Sequence, residues 1–227
     1  MILAYCDRTN ESARILGATD RMGKTPLTLA ATNGHLEVVR TLVAHPLIDV
    51  HAANDTSSAR ALLHYAAEGG HAEIVRFLLV AIEGIDVNVT THCGQTPLHV
   101  AVDAGCTDVV DTLINSPGID VNKAAAERCT PLHFAAEYGR CEITRLLLTA
   151  ENINVAQADS QGWTAAHYAA RWGDRDVLAL LLADPNTNVN AETARGVTPL
   201  MLAVRYNHHK VADLLLSHPR IQAVSTT

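Results

Sequence analysis

The densest collection of reactive side chains in the 227-residue sequence lies around TPLHFAAEYGRCEITRLLL, residues 130–148. Cys129 immediately precedes it, and His133, Glu137, Cys141 and Glu142 fall within it. Two chemistries use thiols, an imidazole and carboxylates at close range. A structural zinc takes four ligands in a tetrahedron, normally supplied as closely spaced pairs. A cysteine nucleophile takes an adjacent base that a third group orients. Neither pattern is present in the spacing, since no CxxC pair occurs among the five cysteines.

The elements that carry these residues explain them better, because the stretch recurs. TPLHVAVDAGCTDVVDTLI begins at Thr96, TAAHYAARWGDRDVLALLL at Thr164 and TPLMLAVRYNHHKVADLLL at Thr198. TPLTLAATNGHLEVVRTLV begins at Thr25, and a degraded copy, ALLHYAAEGGHAEIVRFLL, at Ala61. The starts at 25, 61, 96, 130, 164 and 198 are 36, 35, 34, 34 and 34 residues apart. A fixed period of this length is the signature of a stacked repeat array. The histidine keeps the rhythm, with His64, His99, His133 and His167 at the fourth position of the word. The cysteines do not: Cys129 aligns with Lys24, Gln95, Trp163 and Val197, and Cys141 with Leu36, Ala72 and Arg175.

Each copy reads as two short helices. Thr caps the first helix through its hydroxyl and Pro occupies the first helical position, as in Thr25-Pro26, Thr96-Pro97, Thr130-Pro131 and Thr198-Pro199. Small alanines such as Ala135 and Ala136 permit close helix approach, and a glycine ends the helix at 34, 70, 105, 139 and 173. Asn207 stands in that place in the sixth copy. A second helix follows with its own apolar stripe, for example Ile143, Leu146, Leu147 and Leu148. A loop containing words such as IDVN, residues 119–122, leads to the next copy.

TPLH-x-AA, the following Gly and the Leu-rich second helix, six times over between Asp20 and about Ile221, resemble ankyrin repeats. The resemblance implies an all-α solenoid of stacked helix-turn-helix units with projecting β-hairpin or loop fingers. Residues 1–19 are expected to form a partial repeat or cap and residues 20–227 the array. It also implies that the TPLH histidine is structural, hydrogen-bonding locally and linking adjacent turns, so His133 inherits that role. The last helix, KVADLLL, keeps Leu214, Leu215 and Leu216 without polar replacement, although terminal repeats normally become polar.

Net charge is −7 with a pI near 5.9, which argues against a nucleic-acid backbone as the main partner. No apolar run reaches the length of a membrane span, and an odd number of cysteines fits reduced thiols in a cytosolic or nuclear setting. Phosphate loops, HExxH, GxSxG and glycine-rich dinucleotide turns are missing. The expectation is a non-enzymatic, cofactor-free, monomeric chain that is cytoplasmic or nuclear and inserts in no membrane.

Ankyrin arrays resemble one another in binding through finger tips and the exposed side of the first helices, a concave face. The two positions before the terminating Gly or Asn hold Glu68-Gly69, Asp103-Ala104, Glu137-Tyr138, Arg171-Trp172 and Arg205-Tyr206 in repeats two to six. The finger position before the Thr holds Trp163 in repeat five. Both tryptophans and two of five tyrosines therefore fall at these few positions, all in repeats four to six. Trp, Tyr and Arg dominate interface hot spots. These residues imply a protein or peptide ligand, with Glu68, Asp103 and Glu137 adding a preference for basic residues in it. The competing structural reading has Trp163 covering a finger and Trp172 stacked on Arg205. A second functional reading makes the chain the targeting or regulatory arm of a larger enzyme or channel.

Repeat two departs most from the pattern. Ala61-Leu62 replaces Thr-Pro, and TSSAR before it lacks the glycine found at 23, 94, 162 and 196. Losing a capping hydroxyl costs about 1 kcal/mol. Its finger should exchange amide hydrogens faster than the others, and equal protection of repeats two and four would contradict this.

Overall fold

The computed structural model describes residues 16–50 and 59–221. The cap expected at 1–19 lies outside the described residues except for its last four, and residues 51–58, before finger two, lie outside them as well. Twelve α-helices lie wholly within the described residues. They are α1 (Pro26–Thr32), α2 (Leu36–Val43), α3 (Leu62–Glu68), α4 (Ala72–Ala81), α5 (Pro97–Ala104) and α6 (Thr107–Ile114). α7 (Pro131–Glu137), α8 (Cys141–Leu147), α9 (Ala165–Trp172), α10 (Arg175–Ala183), α11 (Pro199–Arg205) and α12 (His209–Leu216) complete the set. The fold is all-α, as expected.

Helices of seven to ten residues are too short to persist alone in water, so their stability must come from packing. Residues 1–119 and 120–227 form two compact units. In the first, α1, α3 and α5 pack side by side, and so do α2, α4 and α6. In the second, α7, α9 and α11 form one row and α8, α10 and α12 the other. The alanines of the repeat word make the close approach possible: Ala31, Ala66, Ala67, Ala135, Ala136, Ala169 and Ala170 have no accessible surface. Leu98, Val109, Val110, Leu113, Leu147, Val177 and Leu178 fill the space between the rows, equally buried.

Among the described residues the fingers are hairpin-like turns without extended strands. In finger three the Thr91 N–H donates to the Gln95 carbonyl (3.0 Å) and the Gly94 N–H to the Thr91 carbonyl (2.9 Å), with Gly94 at φ 74°. This is a three-residue hairpin loop whose last position requires a left-handed backbone. An acceptor side chain braces the turn: Asp159 Oδ1 takes the N–H groups of Gln161 and Trp163, both at 2.8 Å. Thr193 Oγ1 does the same for Arg195 and Val197.

Finger four has neither device. Ala125 stands at the bracing position, and Glu127 and Arg128 take left-handed backbones at φ 55° and 62°. Repeat four therefore shares the departure that the sequence reading ascribed to repeat two, where Ala59 is left-handed at φ 54°. Finger four bonds to its neighbour, as finger five does through the Ala194 N–H and the Gln161 carbonyl (2.8 Å), and adds a side-chain bond. The Ser160 N–H donates to the Glu127 carbonyl (2.8 Å), and the Ser160 hydroxyl to Glu127 Oε2 (2.5 Å).

A histidine row ties helices to fingers. His133 Nδ1 accepts from the Thr130 N–H (3.0 Å) and lies 2.8 Å from the Thr130 hydroxyl, while Nε2 donates to the Trp163 carbonyl (3.0 Å). His167 binds Thr164 and the Val197 carbonyl in the same way, and His64 binds the Ala61 N–H and the Gln95 carbonyl. A carbonyl can only accept, so each ring is the neutral Nε2–H tautomer. The structural role implied for the TPLH histidine is what these bonds perform. A second row follows the helix-terminating Gly or Asn at the same period, in His35, His71 and His208: His71 Nε2 donates to the Thr32 carbonyl (3.0 Å) and His208 Nε2 to the Arg171 carbonyl (2.9 Å). These rings lie on the terminating glycines, since a Cβ at Gly34 would sit 2.5 Å from the His71 ring.

Burial pushes the imidazoles of His64, His133 and His167 below their ordinary value of 6.5, outweighing the carbonyl contacts that favour the proton. Unfolded histidines take a proton near pH 6.5, whereas these do so only at lower pH. Their contribution to stability is thus complete above about pH 6.5 and declines as pH falls below it. Each is capable of a slope of up to about 1.4 kcal/mol per pH unit. The urea midpoint should be level near neutrality, fall between pH 6.5 and 5, and fall less steeply in His133→Gln; a flat profile contradicts the assignment.

Arg128→Gly should stabilise the chain. A left-handed non-glycine residue costs roughly 1–2 kcal/mol, and glycine adds back about 0.5–1 kcal/mol of unfolded-state entropy. The net gain of about 0.5–1 kcal/mol should raise the melting midpoint by about 1–4 °C. A lower midpoint would rule out strain at this position.

Candidate functional site

The reactive cluster that opens the sequence does not converge on a reaction centre. Both His133 nitrogens are committed, leaving no lone pair for a metal or a thiol proton. Burial pushes the Cys129 thiol above its ordinary range, making it a poorer nucleophile. Cys129 Sγ lies 3.7 Å from the Tyr168 hydroxyl, which donates to Asp159 Oδ2 (2.9 Å). Burial, with Cys129 and Asp159 adding to it, holds the Tyr168 phenol well above its usual value, so the phenol keeps its proton. Asp159 is itself buried and braces finger five through its other oxygen. The group is a structural plug beneath the finger.

The expected binding residues divide by unit. In residues 120–221 the side-by-side packing of α7, α9 and α11 brings their C-terminal ends to one edge. Glu137 ends α7 with Tyr138 as its cap, Arg171 and Trp172 end α9, and Arg205 ends α11 with Tyr206 as its cap. Tyr138, Trp172 and Tyr206 are 47%, 54% and 45% exposed, large fractions for aromatic side chains. Trp163 is different. It is half-buried, its ring 5.3 Å from that of Tyr168 and 6.0 Å from that of His167, and its backbone serves Asp159 and His133. It covers a finger, as the structural reading allowed.

Arg171 occupies the centre of this edge. Its guanidinium carbon lies 5.5 Å from the Trp163 ring centroid, 5.4 Å from Trp172 and 5.9 Å from Tyr206. The cation over Trp172 is therefore Arg171 and not Arg205. Arg171 follows Trp163 by eight residues and precedes Tyr206 by thirty-five, so only the stacking of α9 on α11 makes the three-ring arrangement visible. Beside it opens a groove of about 810 Å³ lined by Glu137, Tyr138, Trp172, Asp174, Arg175 and Lys210 among others. Asp174 Oδ1 caps α10 through the Val177 N–H (3.0 Å), and Asp176 pairs with Arg175 (3.5 Å).

In residues 59–119 the acidic positions are less available than the sequence suggested. Glu68 pairs with Arg60 at 3.1 Å, and Arg60 lies 5.0 Å from the Tyr65 ring. Asp103, exposed, shares with Arg60 and Glu68 a groove of about 510 Å³. Glu68 therefore offers a neutralised pair rather than a free carboxylate. Among the described residues, no three His, Cys, Asp or Glu side chains gather where they could hold a metal ion. No described helix is long and apolar enough to cross a membrane.

Known proteins bear the architecture out. The family described as ankyrin repeats (3 copies) matches residues 46–125, 123–193 and 157–226, and the single ankyrin repeat matches 22–55. Leucine-rich repeat serine/threonine-protein kinase 1 of Caenorhabditis elegans is 32% identical over 96 residues, 41% of this chain and 4% of that protein. The NF-kappa-B inhibitor cactus of Drosophila melanogaster is 34% identical over 79 residues, 35% of this chain and 15% of that protein. A probable E3 ubiquitin-protein ligase, XBOS32, of Oryza sativa subsp. japonica is 39% identical over 90 residues, 39% of this chain and 17% of that protein. Each match spans less than a fifth of the relative's own length. Repeat period, paired helices, histidine-tied fingers and family matches running from residue 22 to 226 coincide, and the chain belongs to the ankyrin-repeat family.

Proposed function

We propose that this chain is a non-catalytic interaction module that holds a protein or peptide on the first-helix and finger side of repeats four to six. One observation carries the reading: Tyr138, Trp172 and Tyr206 are exposed at one edge, and the Arg171 guanidinium lies among the rings of Trp163, Trp172 and Tyr206. Aromatic side chains left largely exposed on one face are where interface energy concentrates. Ankyrin repeats bind proteins generally, and the committed histidine and the raised thiol pKa of Cys129 give the most reactive stretch no catalytic role. Cys93, Cys106, Cys129 and Cys141 are thiols rather than disulfides, which suits a reducing compartment, the cytoplasm or nucleus, with the chain acting as a monomer.

A second reading makes the array the targeting or regulatory arm of a larger enzyme or channel. It draws on relatives named as a kinase and an E3 ligase, in which the matched segment is a small part of the whole.

The test is affinity capture from lysate with the wild-type chain and a Trp172→Ala, Tyr206→Ala variant whose thermal melt is unchanged. Removing one hot-spot anchor costs about 2 kcal/mol or more, roughly a 30-fold loss of affinity. Partners held by the wild type should disappear from the variant. Partners retained by both would move the site away from this edge.

A further inference from the structure

Resting on that reading of the face, we infer that its anchor is the Arg171 cation and that the ligand supplies an anion: the carboxylate of an acidic peptide segment seated between Trp172 and Tyr206. The argument begins with how firmly Arg171 is held. Its carbonyl accepts from His208 Nε2 at 2.9 Å, which fixes the backbone. Its guanidinium lies within 6 Å of three ring centroids, those of Trp163, Trp172 and Tyr206, which restrains the side chain. An arginine ordinarily loses much rotamer freedom when it is immobilised on binding. Here much of that ordering is already present in the free chain.

The rings hold the cation without neutralising it. The ion pairs found among the described residues are Arg40–Glu37, Arg60–Glu68, Arg145–Glu142 and Arg175–Asp176, and none involves Arg171 or Arg205. Neither α9 (AAHYAARW) nor α11 (PLMLAVR) contains an acidic residue. Of the carboxylates in the adjoining groove, Asp174 caps α10 and Asp176 pairs with Arg175, which leaves Glu137 on the neighbouring α7, with no ion pair to Arg171. The guanidinium thus keeps a planar set of donors matched to a carboxylate. Half-buried among rings, it would be screened by water less than an exposed arginine.

Charge elsewhere sharpens the selectivity. Residues 1–119 carry thirteen acidic and seven basic side chains, whereas residues 120–227 carry eleven acidic and ten basic. The second unit is close to neutral, so attraction of an acidic ligand to it depends on this local pair of arginines. This reverses the basic-ligand preference that Glu68, Asp103 and Glu137 suggested in the sequence. Arg60 answers Glu68 directly, and the aromatic edge is cationic where Arg171 and Arg205 stand.

A random peptide library displayed on phage and selected on the full chain tests this. Enriched peptides should be rich in Asp and Glu, and a synthetic copy should bind more weakly as salt is raised. Arg171→Gln should lower its affinity about tenfold or more, and Arg171→Lys, which keeps the charge but not the fork, by part of that. Arg205→Gln, at an exposed side chain with no ring contact, gives a second reading free of any disturbance to the stack. Neutral or basic peptides lost from Trp172→Ala but bound normally by Arg171→Gln and Arg205→Gln would overturn the anion anchor and leave the face intact. Peptides bound equally by the wild type and the Trp172→Ala, Tyr206→Ala variant would overturn the face itself.

Discussion

A single hydrogen-bonded ring organises repeats two, four and five: the neutral imidazole at the fourth position of the repeat word. It accepts from the turn that starts its own helix and donates to a carbonyl in the next finger, thirty or thirty-one residues further on in His64, His133 and His167. A lysine has no acceptor and an apolar side chain has neither group. The carbonyl it reaches already closes its own hairpin, taking the N–H of Thr91, Asp159 or Thr193, and the imidazole bonds to the second lone pair, so each ring ties its helix to a closed finger. Helix start, finger position and repeat stacking therefore rest on one tautomer.

Once the fingers are fixed in this way, side chains at the same edge divide by duty. Asp159, Tyr168 and Trp163 look chemically promising and are consumed in holding a turn in place. Tyr138, Trp172 and Tyr206 stand beyond that scaffold with large exposed areas. The loop words have a similar job: Asn122 Nδ2 donates to the Asn152 carbonyl (2.5 Å) and its Oδ1 accepts from the Asn154 N–H (2.8 Å). Asn88 and Asn190 donate in the same way to the Gly118 and Arg220 carbonyls, both at 2.7 Å. IDVN is a clamp between successive loops, not a ligand-binding sequence.

Much of the fold was legible because a repeat array writes its contacts at a fixed spacing. The Thr caps, the helix-ending glycines and the left-handed Asn207, at φ 62°, all stood where the period placed them. What stayed hidden depends on which atoms of neighbouring repeats meet. Nothing in RCT at 128–130 announces that Arg128 takes a glycine's backbone, since the demand comes from the hairpin and not from the residue. The link from His208 to Arg171 joins positions thirty-seven residues apart, and periodicity predicts only that the two repeats touch. The exposed rings were legible as candidates, while the three-ring setting of Arg171 was not. That setting needs side-chain directions on two helices at once.

The second histidine row gives the binding edge a mechanical property. His208 belongs to repeat six, yet it fixes the carbonyl of Arg171 in repeat five, and Tyr206 of repeat six faces the Arg171 guanidinium. Arg171 thus keeps its position only while α9 and α11 remain stacked. A ligand seated on Trp172, Arg171 and Tyr206 touches both repeats, and by mass action it favours the stacked state over any state in which the last repeat peels away. Arrays whose repeats contact only their neighbours are most easily opened at such junctions. Under the proposed function, binding and folding would be linked at this junction through Arg171, which the stacked repeats position.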